Sequence, residues 1–203
     1  MPGVILDSFY SVEEFLRAGG ILIGPLIVLS ILMWVLIMDR VLFFRRLYFK
    51  NMDSKTAWQH VRDNVLPDPG VYRGAISYLV AEFLGKRSGD SELDRKILDE
   101  TVLTINRRLT DHLAIIGVLA AIAPLLGLLG TVLGMIATFD VLAVFGTGNA
   151  KAMAGGISEA LITTQTGLLV AIPGLYMKGF LDRRASGLKQ RISAAGLYLR
   201  RHL

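Results

Sequence analysis

Three long stretches with few or no charged residues divide the chain. Residues 19–38 and 113–139 carry no charge over 20 and 27 positions, and residues 152–177 carry only Glu159 over 26 positions. A helix rises 1.5 Å per residue, so about 20 residues cross the roughly 30 Å hydrocarbon core of a bilayer. Each stretch exceeds the length of about 18 residues that such a crossing needs. The pattern therefore predicts an all-α membrane protein with three transmembrane helices.

Turn signals and polar positions set the boundaries of the predicted segments. Ser11 and Glu14 fit a capping box, which favours a short amphipathic helix on the membrane surface over a frayed terminus. Residues 67–70 and 86–90 are turn signals within a polar helical region. The segments are an amphipathic N-terminus (1–18), transmembrane helix 1 (19–44), the polar helical region (45–112), transmembrane helix 2 (113–145), a turn (146–151), transmembrane helix 3 (152–180) and a C-terminal helix (181–203).

Apolar positions continue at helical spacing outside the membrane stretches. The stripe within residues 91–112 runs directly into the second stretch, which predicts one long helix through both, and a second stripe predicts a helical tail. These are the long cytoplasmic extensions of the predicted fold, and their scattered acidic side chains are interpreted as a solvated face. The stripes consist of Leu93, Ile97, Leu98, Val102, Ile105 and Leu109, and of Leu188, Ile192, Leu197 and Leu199.

The distribution of charge predicts an orientation. Residues 40–112 contain 13 Lys and Arg against 10 Asp and Glu, and residues 181–203 contain six against one. Residues 1–19 instead contain one basic residue against three acids. An excess of Lys and Arg marks cytoplasmic loops, so the polar region and the C-terminus are placed in the cytoplasm and the N-terminus on the other side. The net charge of +5 is then explained by orientation and by contact with anionic membrane lipids, and nucleic acid is not an expected partner.

Composition excludes most enzyme classes. Hydrophobic residues make up 53% of the chain and charged residues 19%, and there is no cysteine. The histidines at 60, 112 and 202 form no metal-ligand pair, and no phosphate-binding loop ending in Gly-Lys-Ser/Thr occurs. We therefore expect no catalytic residue, no metal site and no cofactor.

The second stretch combines small residues with one hydroxyl. Gly127, Gly130 and Gly134 share a helix face, which in lipid lets another helix approach closely. Pro124 interrupts the backbone ladder one turn earlier, so a neighbouring group must satisfy the freed carbonyl. Thr131 either faces a wet passage or bonds a carbonyl of its own helix and merely faces another helix.

The third stretch holds an acid and a dense polar run. Glu159 is costly in a bilayer, so it must face a cavity, a water file or another chain. Thr163 and Thr166 share its face, whereas Thr164 lies about 140° away. A water-lined lumen and polar contacts in a closed bundle are the two interpretations, and Pro173 is expected to kink or end the helix.

Three spans are too few to enclose a water path, which favours a homo-oligomeric ring with the first span outside, facing lipid.

The segments IAPLLGLLGTVLGMIATF and GISEALITTQTGLLVAIPGL resemble the two signature helices of the MotA/TolQ/ExbB proton-channel family. The order of spans resembles its three-span ExbB/TolQ branch. The resemblance implies a pentameric ring in the bacterial inner membrane around the single helices of two copies of an ExbD/TolR-like partner. It also implies a periplasmic N-terminus and proton-driven work on the cell envelope, with energising of TonB-dependent transport through a TonB-like transducer as the first expectation. The alternatives are envelope maintenance of the TolQ type, a gliding motor, or a non-conducting scaffold.

The resemblance also implies which residues form the proton pathway. The family's pore threonine in the motif GLLGT falls on Thr131, its glutamate on Glu159, and its threonine five positions later on Thr164. Helix periodicity instead favours Thr163 or Thr166, which stay second choices for the pore-lining position.

Overall fold

The computed structural model describes residues 19–49 and 52–203, and every regular element in that part of the chain is helical. The predicted amphipathic helix of residues 1–18 lies outside the described residues. The helices are α1 (Ile23–Tyr48), α2 (Ser54–Arg62), α3 (Ala75–Leu84), α4 (Ser91–Thr110), α5 (Leu113–Phe145) and α6 (Ala150–His202), with a 3₁₀ turn (Gly146–Gly148) between the last two.

Three helical segments are long and apolar enough to cross a membrane, and they lie in α1, α5 and α6. The prediction of an all-α chain with three such helices is confirmed for the described residues. The chain forms two compact units. The membrane unit comprises the described residues among 1–36 and 115–177, and the polar unit comprises those among 37–114 and 178–203.

The core of the membrane unit is built from small and aliphatic side chains of all three long helices. Leu26 and Leu29 of α1 pack with Ala123 of α5 and Ala171 of α6. Alanine on two of the three helices keeps the side chains between them short. As a result the helices approach closely, as expected where lipid supplies no hydrophobic driving force between helices.

The polar unit buries parts of the two predicted stripes. Leu98, Ile105, Leu188 and Ile192 are fully buried. The prediction was wrong for two leucines, because Leu93 and Leu197 are 49% and 58% exposed. On α4 the buried face begins instead at Asp94 and continues through Leu98, Thr101, Ile105 and Leu109. A polar residue thus occupies the core position that periodicity had assigned to a neighbouring leucine.

The predicted single helix through residues 91–139 is interrupted. Asp111 has an extended ψ of 143° and His112 a left-handed φ of 64°, so α4 ends at Thr110 and α5 begins at Leu113. The guanidinium group of Arg40 donates to the carbonyl oxygen of Arg108 at 3.2 Å and lies 2.7 Å from Nδ1 of His112. Because a basic side chain at a helix C-terminus satisfies carbonyls left without an amide partner, Arg40 stabilises the break.

Pro173 does not end the third apolar helix. α6 runs for 53 residues from Ala150 to His202 with Pro173 inside it, and no break separates residues 152–180 from residues 181–203. Pro173 is exposed in the isolated chain. The missing amide of one proline removes one hydrogen bond, which the long helix on both sides tolerates.

One acid of the polar unit is not solvated. Asp94 is 1% exposed, and its carboxylate accepts from Nε of Arg87 at 3.0 Å and from the amide and hydroxyl of Ser88 at 2.8 and 2.9 Å. Burial raises the pKa of the Asp94 carboxyl, but these hydrogen bonds favour the ionised form and outweigh it, so the pKa lies below its ordinary value. Arg87 also donates to the carbonyl oxygen of Val61 at 2.7 Å, which ties α2 to the start of α4.

Candidate functional site

α5 and α6 pack as an antiparallel pair whose contact face consists of small residues. A Cβ added to Gly134 would lie 2.6 Å from the carbonyl oxygen of Gly156 and 2.8 Å from Cβ of Ala160. Two to three turns away, a Cβ on Gly167 would lie 2.7 Å from the carbonyl oxygen of Ala123. Residue numbers fall on α5 as they rise on α6, which defines the antiparallel register.

The other two predicted packing glycines of α5 face the threonine run of α6. A Cβ on Gly127 would lie 3.1 Å from both the carbonyl oxygen of Thr163 and Cα of Thr164. A Cβ on Gly130 would collide with the side chain of Thr163. Glycine at these positions therefore lets the backbones of the two helices meet directly. Pro124 lies half-buried in α5, one turn before Gly127.

Two of the predicted threonines of α6 bond only within their own helix. Thr163 is 1% exposed, and its hydroxyl lies 3.0 Å from the carbonyl oxygens of both Glu159 and Ala160. The hydroxyl of Thr166 donates to the carbonyl oxygen of Ile162 at 2.8 Å. Such bonds are the ordinary way for threonine to satisfy its hydroxyl in a helix. Thr163 is enclosed between α5 and α6, whereas Thr166 is half-buried.

Thr164 connects the two helices. Its hydroxyl lies 3.2 Å from the carbonyl oxygen of Gly127 on α5 and 3.0 Å from the carbonyl oxygen of Ala160 on α6. The side chain is half-buried in the isolated chain. Thr164 therefore lies at the edge of the α5–α6 contact face, with one side toward α5 and the other open.

Thr131 and Thr164 lie on the same side of the helix pair. Each follows by one position a residue at the centre of the contact face, namely Gly130 or Thr163, and so is rotated by about 100° from it. Because the two helices run in opposite directions, this rotation places the side chains of Thr131 and Thr164 on the same side of the helix pair. This side faces away from α1, because Leu126 and Val170, on the other side, pack against the cluster around Leu26. The hydroxyl of Thr131 donates to the carbonyl oxygen of Leu128 at 2.6 Å.

Glu159 lies toward α1 instead. It is half-buried, and its carboxyl group occupies the place that a side chain on Gly20 would take. The structure thus brings Thr131 and Thr164 to one side, places Glu159 and Thr166 toward the other, and encloses Thr163 between the helices. Along the axis of α6, Glu159 lies about 7.5 Å nearer the turn Gly146–Gly148 than Thr164, at about 1.5 Å per residue.

Known proteins share these helices. A model of the MotA/TolQ/ExbB proton channel family matches residues 69–194, which is more than half of the chain. The chain belongs to this family. The matched region includes α5 and most of α6. It contains every residue of α5 and α6 named in this candidate site, whereas Gly20 and α1 lie outside it.

Several curated relatives of this family member are named for biopolymer transport. A putative biopolymer transport protein ExbB-like 1 of Synechocystis sp. is 33% identical over 81% of this chain and 68% of its own length. The biopolymer transport protein ExbB of Helicobacter pylori is 38% identical over 58% of this chain and 81% of its own length. ExbB of Neisseria meningitidis is 28% identical over 89% of this chain and 90% of its own length.

Sequence reasoning missed the contact between Glu159 and the residues before α1. The first span of this MotA/TolQ/ExbB family member was assigned to the outside of a ring, facing lipid. Most of α1 fits that assignment, since Ile31, Leu32 and Val35 are more than half exposed. The adjacent glycines 19 and 20, which lie four and three residues before the first residue of the helix, were the available signal.

A basic cavity in the polar unit of this family member was also missed. It measures about 300 Å³, and its walls combine apolar side chains with the guanidinium groups of Arg45 and Arg184. The guanidinium carbon of Arg184 lies 4.9 Å from the ring centre of Tyr48 and 5.2 Å from that of Phe180. An apolar cavity edged by cations is suited to a molecule with an acyl chain and an anionic head. Among the described residues, no group of acidic or histidine side chains could hold a metal ion.

Proposed function

We propose that this chain is the proton-channel subunit of an ion-driven motor in the bacterial inner membrane. Five copies form a ring, and each copy contributes the side of α5 and α6 that carries Thr131 and Thr164 to a central wet passage. The single observation that carries the proposal is this pair of hydroxyls, from two different helices, on the side opposite α1. One protomer supplies only one wall of such a passage, so the passage requires an oligomer.

The hydroxyls and the carboxyl have different tasks in this proposal. A threonine hydroxyl both donates and accepts hydrogen bonds, so it supports a chain of water molecules without trapping a charge. Glu159 faces the residues before α1 rather than the wall that carries the two hydroxyls, and it supplies a titratable group nearer the turn between α5 and α6, beside the point where a proton enters. Moving one elementary charge across the membrane yields about 2.3 kcal/mol per 100 mV, which is enough to bias a conformational step.

The moving part belongs to a partner chain. The passage surrounds the single helices of two copies of an ExbD/TolR-like partner, and an aspartate on that helix takes up and releases the proton. The described spans support this division, since Glu159 is the only acid within residues 19–38, 113–139 and 152–177. Protonation moves the partner relative to the ring, and a TonB-like transducer passes the force to the outer membrane.

The orientation and the lipid contacts follow from charge. The polar unit and the C-terminus lie in the cytoplasm, and the N-terminus and the turn Gly146–Gly148 lie in the periplasm. Arg45 and Arg184 then lie near the cytoplasmic surface, where they bind the head group of an anionic phospholipid whose acyl chain enters the apolar cavity between them. The relatives are named for biopolymer transport, which favours a role in transport over envelope maintenance or gliding.

A non-conducting scaffold is the second candidate. The hydroxyls of Thr131, Thr163 and Thr166 each donate to a carbonyl of their own helix, as polar residues in a closed bundle do. In a scaffold the shape of these side chains matters and the hydroxyl does not. This difference separates the two candidates by experiment.

Substitution of Glu159 and Thr131 tests the channel. We expect Glu159→Ala, Thr131→Ala and the isosteric Thr131→Val each to abolish TonB-type uptake in cells that lack the native subunit, while the ring still assembles. Thr138→Val is the matched control and is expected to retain uptake, because it removes a buried hydroxyl of α5 that bonds the carbonyl oxygen of Gly134 and is not part of the proposed pathway. Full uptake in Thr131→Val would favour the scaffold, and full uptake in both alanine variants would refute the channel.

A further inference from the structure

The residues before α1 touch the acid of α6. At Gly20 the place of a Cβ is already taken by Oε1 of Glu159, and Cγ of Glu159 lies 3.0 Å from that place. The preceding residue continues the contact, because a Cβ on Gly19 would lie 3.0 Å from Cγ2 of Ile162. The two glycines thus lie across one turn of α6, with the carboxyl of Glu159 against the second of them.

Two independent features restrict residue 20 to glycine. Its φ is +65°, a backbone conformation that side chains disfavour. Its missing side chain is also what leaves room for the carboxyl. By comparison, Gly146 has a similar φ of +59° but open space around it, and Gly24 has open space within α1. Gly20 is therefore distinguished from both by its contact with Glu159.

The contact lies just before the N-terminal end of α1. This helix begins at Ile23, three residues after Gly20. The residues that lead into α1 therefore limit the positions that the carboxyl of Glu159 can take.

We propose that Gly20 is a positioning residue for Glu159, so that the first helix takes part in proton transfer. The inference rests on the proposed proton-pathway role of Glu159. In this view α1 is more than a lipid-facing support, because any movement of its N-terminal end moves the contact that holds the carboxyl. The substrate of the site is the proton itself.

Gly20→Ala is an informative variant because the atoms in its way belong to the end of a flexible side chain. Glu159 can rotate its carboxyl aside without moving a helix, whereas a methyl group on Gly134 would meet the backbone of α6. The variant should therefore displace the acid and leave the helix packing in place. Gly146→Ala controls for the left-handed φ, and Gly24→Ala controls for an added methyl group at the start of α1.

The test uses the full chain with its single-span partner in liposomes and has two readouts. One is the rate at which dicyclohexylcarbodiimide, an apolar reagent for protonated carboxyl groups, modifies Glu159, followed by mass spectrometry with Asp140 as internal reference. The other is proton flux. In Gly20→Ala we expect Glu159 to be modified several-fold faster, because the added methyl group displaces the carboxyl from its place beside residue 20. We expect proton flux to fall by about tenfold. Both controls should match the wild type.

The two readouts separate this inference from the proposed function. Equal modification rates of Glu159 in all three glycine variants would show that Gly20 does not hold the carboxyl in place, whether or not the wild type conducts. Faster modification with wild-type flux would overturn the positioning role. Absence of flux in the wild type would count against the proposed function, while the modification rates would still decide whether Gly20 holds the carboxyl.

A second variant covers the case in which Gly20→Ala does not assemble. Glu159→Asp withdraws the carboxyl from Gly20 by one methylene and leaves the turn intact. We expect assembled rings with flux lowered by about tenfold. Wild-type flux from Glu159→Asp would contradict the proposal, because the position of the carboxyl would then have no effect.

Discussion

At the scale of single residues, the environment of an ionisable side chain depends on partners that are distant in sequence. Asp94 was interpreted as one of many solvated acids, yet it is buried and its carboxylate bonds Arg87 and Ser88. Glu159 was singled out because a lone acid in an apolar helix is costly. Its contact with Gly20 could not be predicted, since periodicity assigns a residue to a face of its own helix and does not say which element meets that face.

The Asp94 network makes a pH-dependent contribution to stability. Its carboxyl has a lowered pKa in the folded chain, so the contribution is complete above the unfolded pKa of about 3.9 and is lost as the pH falls through the lower folded value. Asp94→Asn removes the charge at similar shape, and we expect it to cost about 2 kcal/mol at neutral pH.

Hydrogen exchange of residues 85–95 in detergent-solubilised chain measures this effect. Near neutral pH the segment of Asp94→Asn should exchange faster than that of the wild type. Below about pH 4 the stability difference from the wild type should shrink, because the unfolded wild-type carboxyl then takes up a proton that the folded carboxyl does not yet bind. Asp99→Asn, which removes a half-exposed partner of Arg200, is the matched control. A difference that grows on acidification would contradict the account.

At the scale of elements, the sequence predicts helices and their close faces better than their ends. Three stretches of at least 20 residues, each with at most one charge, predict membrane helices. The spacing of the glycines at 127, 130 and 134 is enough to place them on one helix face. The break at Asp111 and His112 has no such signal, because it depends on Arg40 from another helix. The continuity of α6 through Pro173 likewise depends on the long helix around it.

Gly134→Ala tests the α5–α6 face. The added methyl group would lie 2.6 Å from the carbonyl oxygen of Gly156 and 2.9 Å from the amide nitrogen of Ala160, and backbone atoms cannot move aside as a side chain can. We expect a loss of about 1–3 kcal/mol, seen as a lower melting temperature of the solubilised chain. Gly155→Ala, with open space around it, should melt at or above the wild-type temperature. Equal melting of both variants would show that the two helices do not meet at Gly134.

At the scale of the whole molecule, composition decides the class of protein and charge predicts its orientation. A chain with 53% hydrophobic residues and three long stretches with at most one charge each is placed in a membrane, and the family match agrees with that placement. The number of copies around the proposed passage depends on contacts between chains, which the pattern of a single sequence does not specify. The family resemblance, rather than periodicity, is the source of the proposal of five copies.

The orientation is testable because the chain has no native cysteine. Thr147→Cys, in the turn between α5 and α6, should react in whole cells with a thiol reagent that passes the outer membrane but not the inner one. Ser91→Cys, exposed at the start of α4, should react only after the cells are broken. The reverse pattern would show that the excess of Lys and Arg does not set the topology of this chain.

Proton flux through purified particles decides whether this chain forms part of a proton channel. The purified protein is reconstituted into liposomes with and without the proposed single-span partner, and flux is followed with a pH-sensitive dye under an imposed membrane potential. The account predicts flux that requires the partner and is lost in Thr131→Val and Glu159→Ala particles of unchanged size. Wild-type particles that assemble with the partner and conduct no protons, or variants that conduct as well as the wild type, would contradict it.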